Sequence, residues 1–180
     1  MSLRGWRTAA RVGWLLGLAL CCSGWRLGFA DAAEGQVLLT ENAVDEGLPA
    51  LKIETPTATY FLEKTGAGLS SLIDIDGNDW LGFRPEKGSG AAGEYRGFPN
   101  AVHQQAGSYF HPKNAGTDPA TVRIEFASSD RVSLAAESNN GLWACRYEFF
   151  PTHCTFTMTR VPDGWKYWIL YEGTPGGDYD

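Results

Sequence analysis

The chain has 180 residues, 43% hydrophobic, 20% charged and 13% aromatic, with 22 Gly, 9 Pro and 4 Cys. That length holds one ordinary domain, and that balance excludes disordered, collagen-like and coiled-coil chains. The formal net charge of -6 argues against a nucleic-acid partner, because such domains carry basic surface against phosphates.

Residues 1–32 read as a secretory signal peptide. Arg4, Arg7 and Arg11 precede an apolar run over 12–22, and Ala30-Asp31-Ala32 supplies a small-x-small end with cleavage after Ala32. As a membrane span the run is too short for a hydrocarbon core of about 30 Å, and Arg26 interrupts its continuation. The expected location is therefore secreted or periplasmic, with no membrane span in the mature chain. Cleavage removes four of 15 basic and one of 21 acidic residues, leaving net -9 over 148 residues. Such acidity repels nucleic acid and anionic membrane surfaces, and leaves neutral polymers, cations and small molecules as easier partners.

Residues 33–48 are polar, acidic and aperiodic and read as a flexible leader, so the domain is expected over 49–180. Strand signals follow at 51–54 and 57–63, around Pro56, and at 69–74 after the Gly66-Ala67-Gly68 turn. Asp76-Gly77 reads as a hairpin turn leading towards Trp80. After a long gap come strands at 121–127, 131–137, 142–150, 154–160 and 166–172, joined by Ser-, Asn-, Pro- and Gly-bearing turns. No mature segment sustains a helical period. The fold class is all-β, an antiparallel β-sandwich whose second half is a five-strand meander. The last strand is apolar on both faces, with Tyr167, Ile169 and Tyr171 on one and Trp168 and Leu170 on the other. It is expected to be covered on both sides. Either the early strands cover it, or the chain is the front part of a longer protein.

Only Cys145 and Cys154 outlast the signal peptide. With a turn at Pro151-Thr152, Phe149 faces Cys154 and Cys145 faces Met158. The sulfurs then lie four residues apart along the strand, roughly 13 Å, beyond disulfide reach. Two buried free thiols are predicted.

The stretch between Gly82 and Gly116 holds seven glycines, and structureless loops longer than about 15 residues are usually functional or disordered. Disorder suits residues 86–92. The remainder carries Tyr95, Phe98, Tyr109 and Phe110 and should pack over the sheet. Within it, Glu94, Tyr95, Arg96, Asn100 and His103 fall in the eleven residues from Gly93 to His103, with His111 eight further on. Arg and Asn can hold a hydroxylated or carboxylated substrate while His or Tyr moves a proton. The competing reading pairs Arg96 with an acid and spends the histidines on backbone carbonyls. Joining His103, His111 and Glu94 as metal ligands matches no ligand spacing, and no cofactor motif is present. Trp80, Trp143, Trp165 and Trp168 offer faces that stack on sugar rings. The alternation of Trp143 and Trp168 with polar neighbours points to the core instead, and Trp165, beside the Pro162-Asp163-Gly164 turn, is expected to be the most exposed.

Two resemblances rest on quoted segments. Thr59-Tyr60-Phe61-Leu62-Glu63, Gly66-Ala67-Gly68-Leu69-Ser70-Ser71-Leu72-Ile73-Asp74 and Asp76-Gly77-Asn78-Asp79-Trp80 together resemble the opening of galactose mutarotase-like domains. Residues 93–100, Phe150-Pro151-Thr152-His153 and Tyr171-Glu172-Gly173-Thr174-Pro175-Gly176-Gly177 resemble secreted bacterial proteins of unassigned function from sugar-degrading repertoires. The mutarotase-like resemblance implies a two-sheet sandwich that binds or processes carbohydrate, and carries the family's arginine and histidine onto Arg96 and His103. The family's catalytic glutamate lies in a later half that has no counterpart in this chain.

The expectation is an exported carbohydrate-binding or carbohydrate-processing sandwich with its site on the 93–112 loop. Arg96, Asn100, Glu94 and Trp165 would bind substrate, and His103, His111 or Tyr95 would move the proton if there is a reaction. The alternative is a noncatalytic structural or adhesion module of the cell envelope whose loop only packs the sandwich.

Overall fold

A computed structural model describes residues 35–99, 101–102, 108–114 and 116–173. The segment read as a signal peptide, residues 1–32, lies outside them. Two four-stranded antiparallel sheets dominate, giving an all-β, sandwich-like architecture. The first runs β1 (Leu38–Asp45), β2 (Leu48–Glu54), β3 (Ala58–Glu63) and β4 (Leu69–Asp74) in sequence order. The second joins β7 (Ala120–Ala127), β8 (Val132–Ser138), β9 (Ala144–Phe149) and β10 (Cys154–Arg160) as a meander. A third, small sheet orders β11 (Trp168–Ile169), β5 (Ala101–Val102) and β6 (Ser108–Tyr109).

Alternating inward-facing residues supply much of the core. Leu51, Ile53, Tyr60 and Leu62 point inward from the first sheet, and Val132, Leu134, Cys145, Tyr147 and Phe149 from the second, all in one buried cluster. Tyr60 and Phe149 meet with ring centroids 5.1 Å apart, and the Tyr147 hydroxyl donates to the Ala67 carbonyl at 2.6 Å. Each such side chain contributes about 1.5–3 kcal/mol by leaving water, and the Tyr147 bond satisfies a buried phenol at the same time.

The two cysteines follow the expected register, with Cys154 opposite Phe149 and Cys145 opposite Met158. Both cysteines are free, Cys145 buried and Cys154 half-buried. The Asp76-Gly77 turn also forms. Asp74 donates its N–H to the Asn78 carbonyl at 3.0 Å, and the Trp80 N–H reaches Leu72 O at 2.8 Å.

Several expectations are corrected. Residues 33–48 are not a leader without structure, because β1 occupies 38–45 and pairs with β2. A register shift between Thr40 and Ala43 interrupts its alternation, and its exposed edge position lets half of its side chains be polar, so its period is hidden. Its turn is sharp: Glu46 and Gly47 both have positive φ, 49° and 76°, the geometry of a two-residue hairpin.

The fifth meander strand is absent, since only Trp168–Ile169 is extended and it pairs with β5 rather than β10. Its aromatic content reflects draping over the edge of the core, not burial between sheets. Trp165 and Tyr167 pack on Trp143 with centroids 6.0 and 6.1 Å away. Trp165 is thus half-buried, whereas Trp168, expected in the core, is 40% exposed. Residues 86–92 are also structured, with a 3-10 turn at Gly90–Ala92 and the Gly88 N–H donated to the Glu94 carboxylate at 2.8 Å.

Candidate functional site

The loop after β4 is tied to the first sheet at the Gly66-Ala67-Gly68 turn. A Cβ on Gly66 would stand 2.0 Å from the His111 carbonyl oxygen, and one on Gly68 would meet the Pro112 ring at 2.5 Å. Only glycine lets the two backbones come this close. The fully buried Glu63 carboxylate completes the junction. It accepts the N–H groups of Thr65 at 2.7 Å, Gly66 at 2.6 Å and Lys113 at 3.1 Å.

Above this junction the predicted residues Glu94, Tyr95, Arg96 and His111 come together, largely buried. His111 is 3% exposed, with Nδ1 2.7 Å from Pro112 O and Nε2 3.0 Å from Tyr95 O. Phe83 meets its ring edge-on. Burial pushes the His111 pKa below its ordinary value, outweighing the carbonyls that favour the charged ring. Asn114 donates to the Glu94 carbonyl at 2.6 Å, and Thr117 donates to Asn114 Oδ1 at 2.8 Å. Arg96 is 1% exposed. Tyr95 is the exception, 58% exposed, and with Ser108, His111, Asn114, Gly116 and Thr117 it borders a hollow of about 130 Å³.

This arrangement differs from the expected active loop. Nε2 faces the Tyr95 carbonyl, and Nδ1 lies beside the Pro112 carbonyl and 3.3 Å from the Thr117 hydroxyl; a neutral ring donates to one of the two carbonyls, and both nitrogens are enclosed by the loop. The Glu94 carboxylate is taken up by the 86–92 turn. Trp165 does not join the cluster but lies against Trp143. Asn100 and His103 lie outside the described residues.

A larger hollow, about 450 Å³, opens on the outer face of the second sheet. Register explains it. Across β7–β10 one outward row reads Arg123, Ala135, Arg146, Thr157, and the next reads Thr121, Glu137, Ala144, Arg160. Ala135 and Ala144 make a low floor between long side chains. A register shift between Ile124 and Phe126 adds Glu125 to this face. Its carboxylate receives Arg123 Nη2 and Arg146 Nε, each at 2.7 Å. The Arg146 bond, with help from Arg123, holds the Glu125 pKa below its ordinary value. At the other end Arg160 donates to Glu137 at 2.5 Å and to Gly141 O at 2.9 Å. Asn139 and Thr159 complete the rim.

Sequence reasoning missed these residues because it weighed histidines and aromatics, and the arginines lie on three different strands, 23 and 14 positions apart. The signal was present in the outward half of each alternation, but it reads as a solvated face until the register sets Ala135 between Arg123 and Arg146. No protein-family model, curated protein or solved structure matches this chain, so the likeness to mutarotase-like domains rests on the quoted segments alone.

Proposed function

We propose that this chain is an exported, noncatalytic saccharide-binding sandwich whose site is the hollow on the outer face of β7–β10, a member of the carbohydrate-active sandwiches that the mutarotase-like resemblance implies. The observation that carries the reading is the hollow itself. Its volume, about 450 Å³, falls in the range of small-ligand sites. Guanidinium, carboxylate, amide and hydroxyl groups on its rim can donate to and accept from ring hydroxyls, while the alanine methyls offer a floor for CH faces. Export rests on the signal-peptide pattern of residues 1–32.

Binding is favoured over processing because the loop groups assigned to proton transfer are braced by backbone, as His111 is on Pro112 and Tyr95. The same observation favours the structural-module reading for the loop, which then serves to hold the sandwich together. Ala135→Trp separates the two readings. Ala135 faces outward and is half-buried, so a large side chain fills the hollow without entering the core. Glycan-array binding by the wild type that disappears in Ala135→Trp, with an unchanged melting temperature, is expected. Undiminished binding by Ala135→Trp would refute the site, and an array with no bound glycan would refute the saccharide reading.

A further inference from the structure

Resting on the saccharide-binding reading above, we infer that the hollow prefers an acidic sugar and takes the carboxylate of a uronate residue on Arg146, with Arg123 and Arg160 flanking it. Three guanidinium groups and two carboxylates, Glu125 and Glu137, surround the alanine floor. The local balance is one positive charge in a chain of net charge -6. Exposed ion pairs of this kind contribute only about 0–1 kcal/mol each to folding, so stability gives little reason to gather three arginines around one hollow.

The geometry of the pair with Glu125 supports a planar carboxylate as occupant. Arg146 meets Glu125 through Nε and Arg123 meets it through Nη2, so the terminal nitrogens of Arg146 stand beyond that bond. A guanidinium presents five N–H donors in a fixed fork, and its terminal edge matches a carboxylate with two parallel bonds. Arg160, held by Glu137 and Gly141 O, brings a second positive charge to the far end of the hollow. Thr121, Asn139 and Thr159 on the rim are suited to the hydroxyls of the same ring, which a simple anion lacks.

Isothermal titration with trigalacturonate, its methyl ester and neutral galactotriose, at low and at physiological salt, tests the inference. Trigalacturonate is expected to bind at least about tenfold tighter than the ester, the difference between charge-assisted and neutral hydrogen bonding, and to weaken with added salt. Arg146→Gln, on the solvent face, should erase that preference while retaining weak binding of all three, with the melting temperature as the check on folding. Equal affinity for acid, ester and neutral trisaccharide overturns the acidic preference and leaves the saccharide reading standing. Competition by inorganic sulfate as effective as that by trigalacturonate shows a plain anion site and overturns it also. Absence of binding by all three, with neutral glycans of other linkage bound on the array, overturns it in favour of a different sugar.

Discussion

Replacing Glu63 by Gln changes one atom in the junction between the first sheet and the long loop, and its cost follows from three bonds. The Glu63 carboxylate is fully buried and accepts Thr65 N–H at 2.7 Å, Gly66 N–H at 2.6 Å and Lys113 N–H at 3.1 Å. Oε2 serves two of these donors and Oε1 the third. An amide keeps one acceptor oxygen and puts an NH₂ where the other stood. In the better orientation its oxygen retains Gly66 and Lys113, and the NH₂ confronts the Thr65 N–H, donor against donor. Thr65 is exposed, so water recovers part of that loss. The two retained bonds fall from charge-assisted to neutral, each losing about 1 kcal/mol. Adding a partly rescued donor gives a destabilisation of about 2–4 kcal/mol. Urea unfolding followed by tryptophan fluorescence measures it, with unchanged slope showing that the folded state is otherwise intact. Glu54→Gln is the control. Its partner Lys52 at 2.7 Å forms a half-exposed pair worth less than about 1 kcal/mol. A Glu63→Gln loss below about 0.5 kcal/mol would refute the claim that this carboxylate organises the loop.

His111 titrates below its ordinary 6.5 because it is buried. The unfolded chain therefore binds the proton more readily, and stability falls as pH drops below about 6.5, flattening beneath the folded pKa. His111→Gln should flatten the dependence of the urea midpoint on pH between about 7 and 5; an unchanged slope would exclude this account. Burial pushes the Cys154 thiol up to about 12 and raises Cys145 as well, so neither is expected to react with iodoacetamide at pH 8 until urea unfolds the chain. Rapid native labelling of either, mapped by peptide mass, contradicts the packing. The Asp74 carboxylate, receiving the Trp80 indole N–H at 2.9 Å and bonds from Asn78, is held down to about 2. Its support of the turn is present above about 3.8 and is lost as pH falls towards 2. The Trp80 indole resonance should follow that midpoint, and a titration near 4 would show the bond is not formed.

The strands that were legible in the sequence are those that bury one face and turn on residues of known preference. β10 begins and ends where its alternation does, β4 lies between the Gly66-Ala67-Gly68 and Asp76-Gly77 turns, and the β9–β10 register follows from a two-residue turn and the match of Cys145 to Met158. β1 was hidden because an edge strand needs few apolar side chains, and its bulge breaks the period. The segment at 166–172 misled for the opposite reason. Aromatic residues laid along the rim of a core give the same two-faced apolar pattern as a strand between sheets. At the site, proximity in sequence did bring Glu94, Tyr95, Arg96 and His111 together, yet composition could not distinguish groups offered to a ligand from groups used up by backbone.

That distinction decides where ligand chemistry is available in this molecule. Under the loop, polar side chains are enclosed beside backbone donors and acceptors, those of Gly66, Glu94 and Pro112 on buried residues. Leaving any of these unmet costs about 1–3 kcal/mol, so the side chains are committed to the fold: Glu63 to three N–H groups, His111 to one of the two carbonyls that flank its ring, Asn114 to the Glu94 carbonyl. On the outer face of β7–β10 the backbone is already satisfied by the ladder. Among the described residues, the arginines and glutamates there bond to one another and to the Gly141 carbonyl, through bonds that water competes for. A ligand that displaces water from the hollow disturbs no backbone partner in the ladder, whereas one that recruited His111 would have to break the brace of the loop. The described polar groups of the chemistry-rich segment are therefore committed to holding the loop, and the plain alternation of β7–β10 carries the accessible hollow.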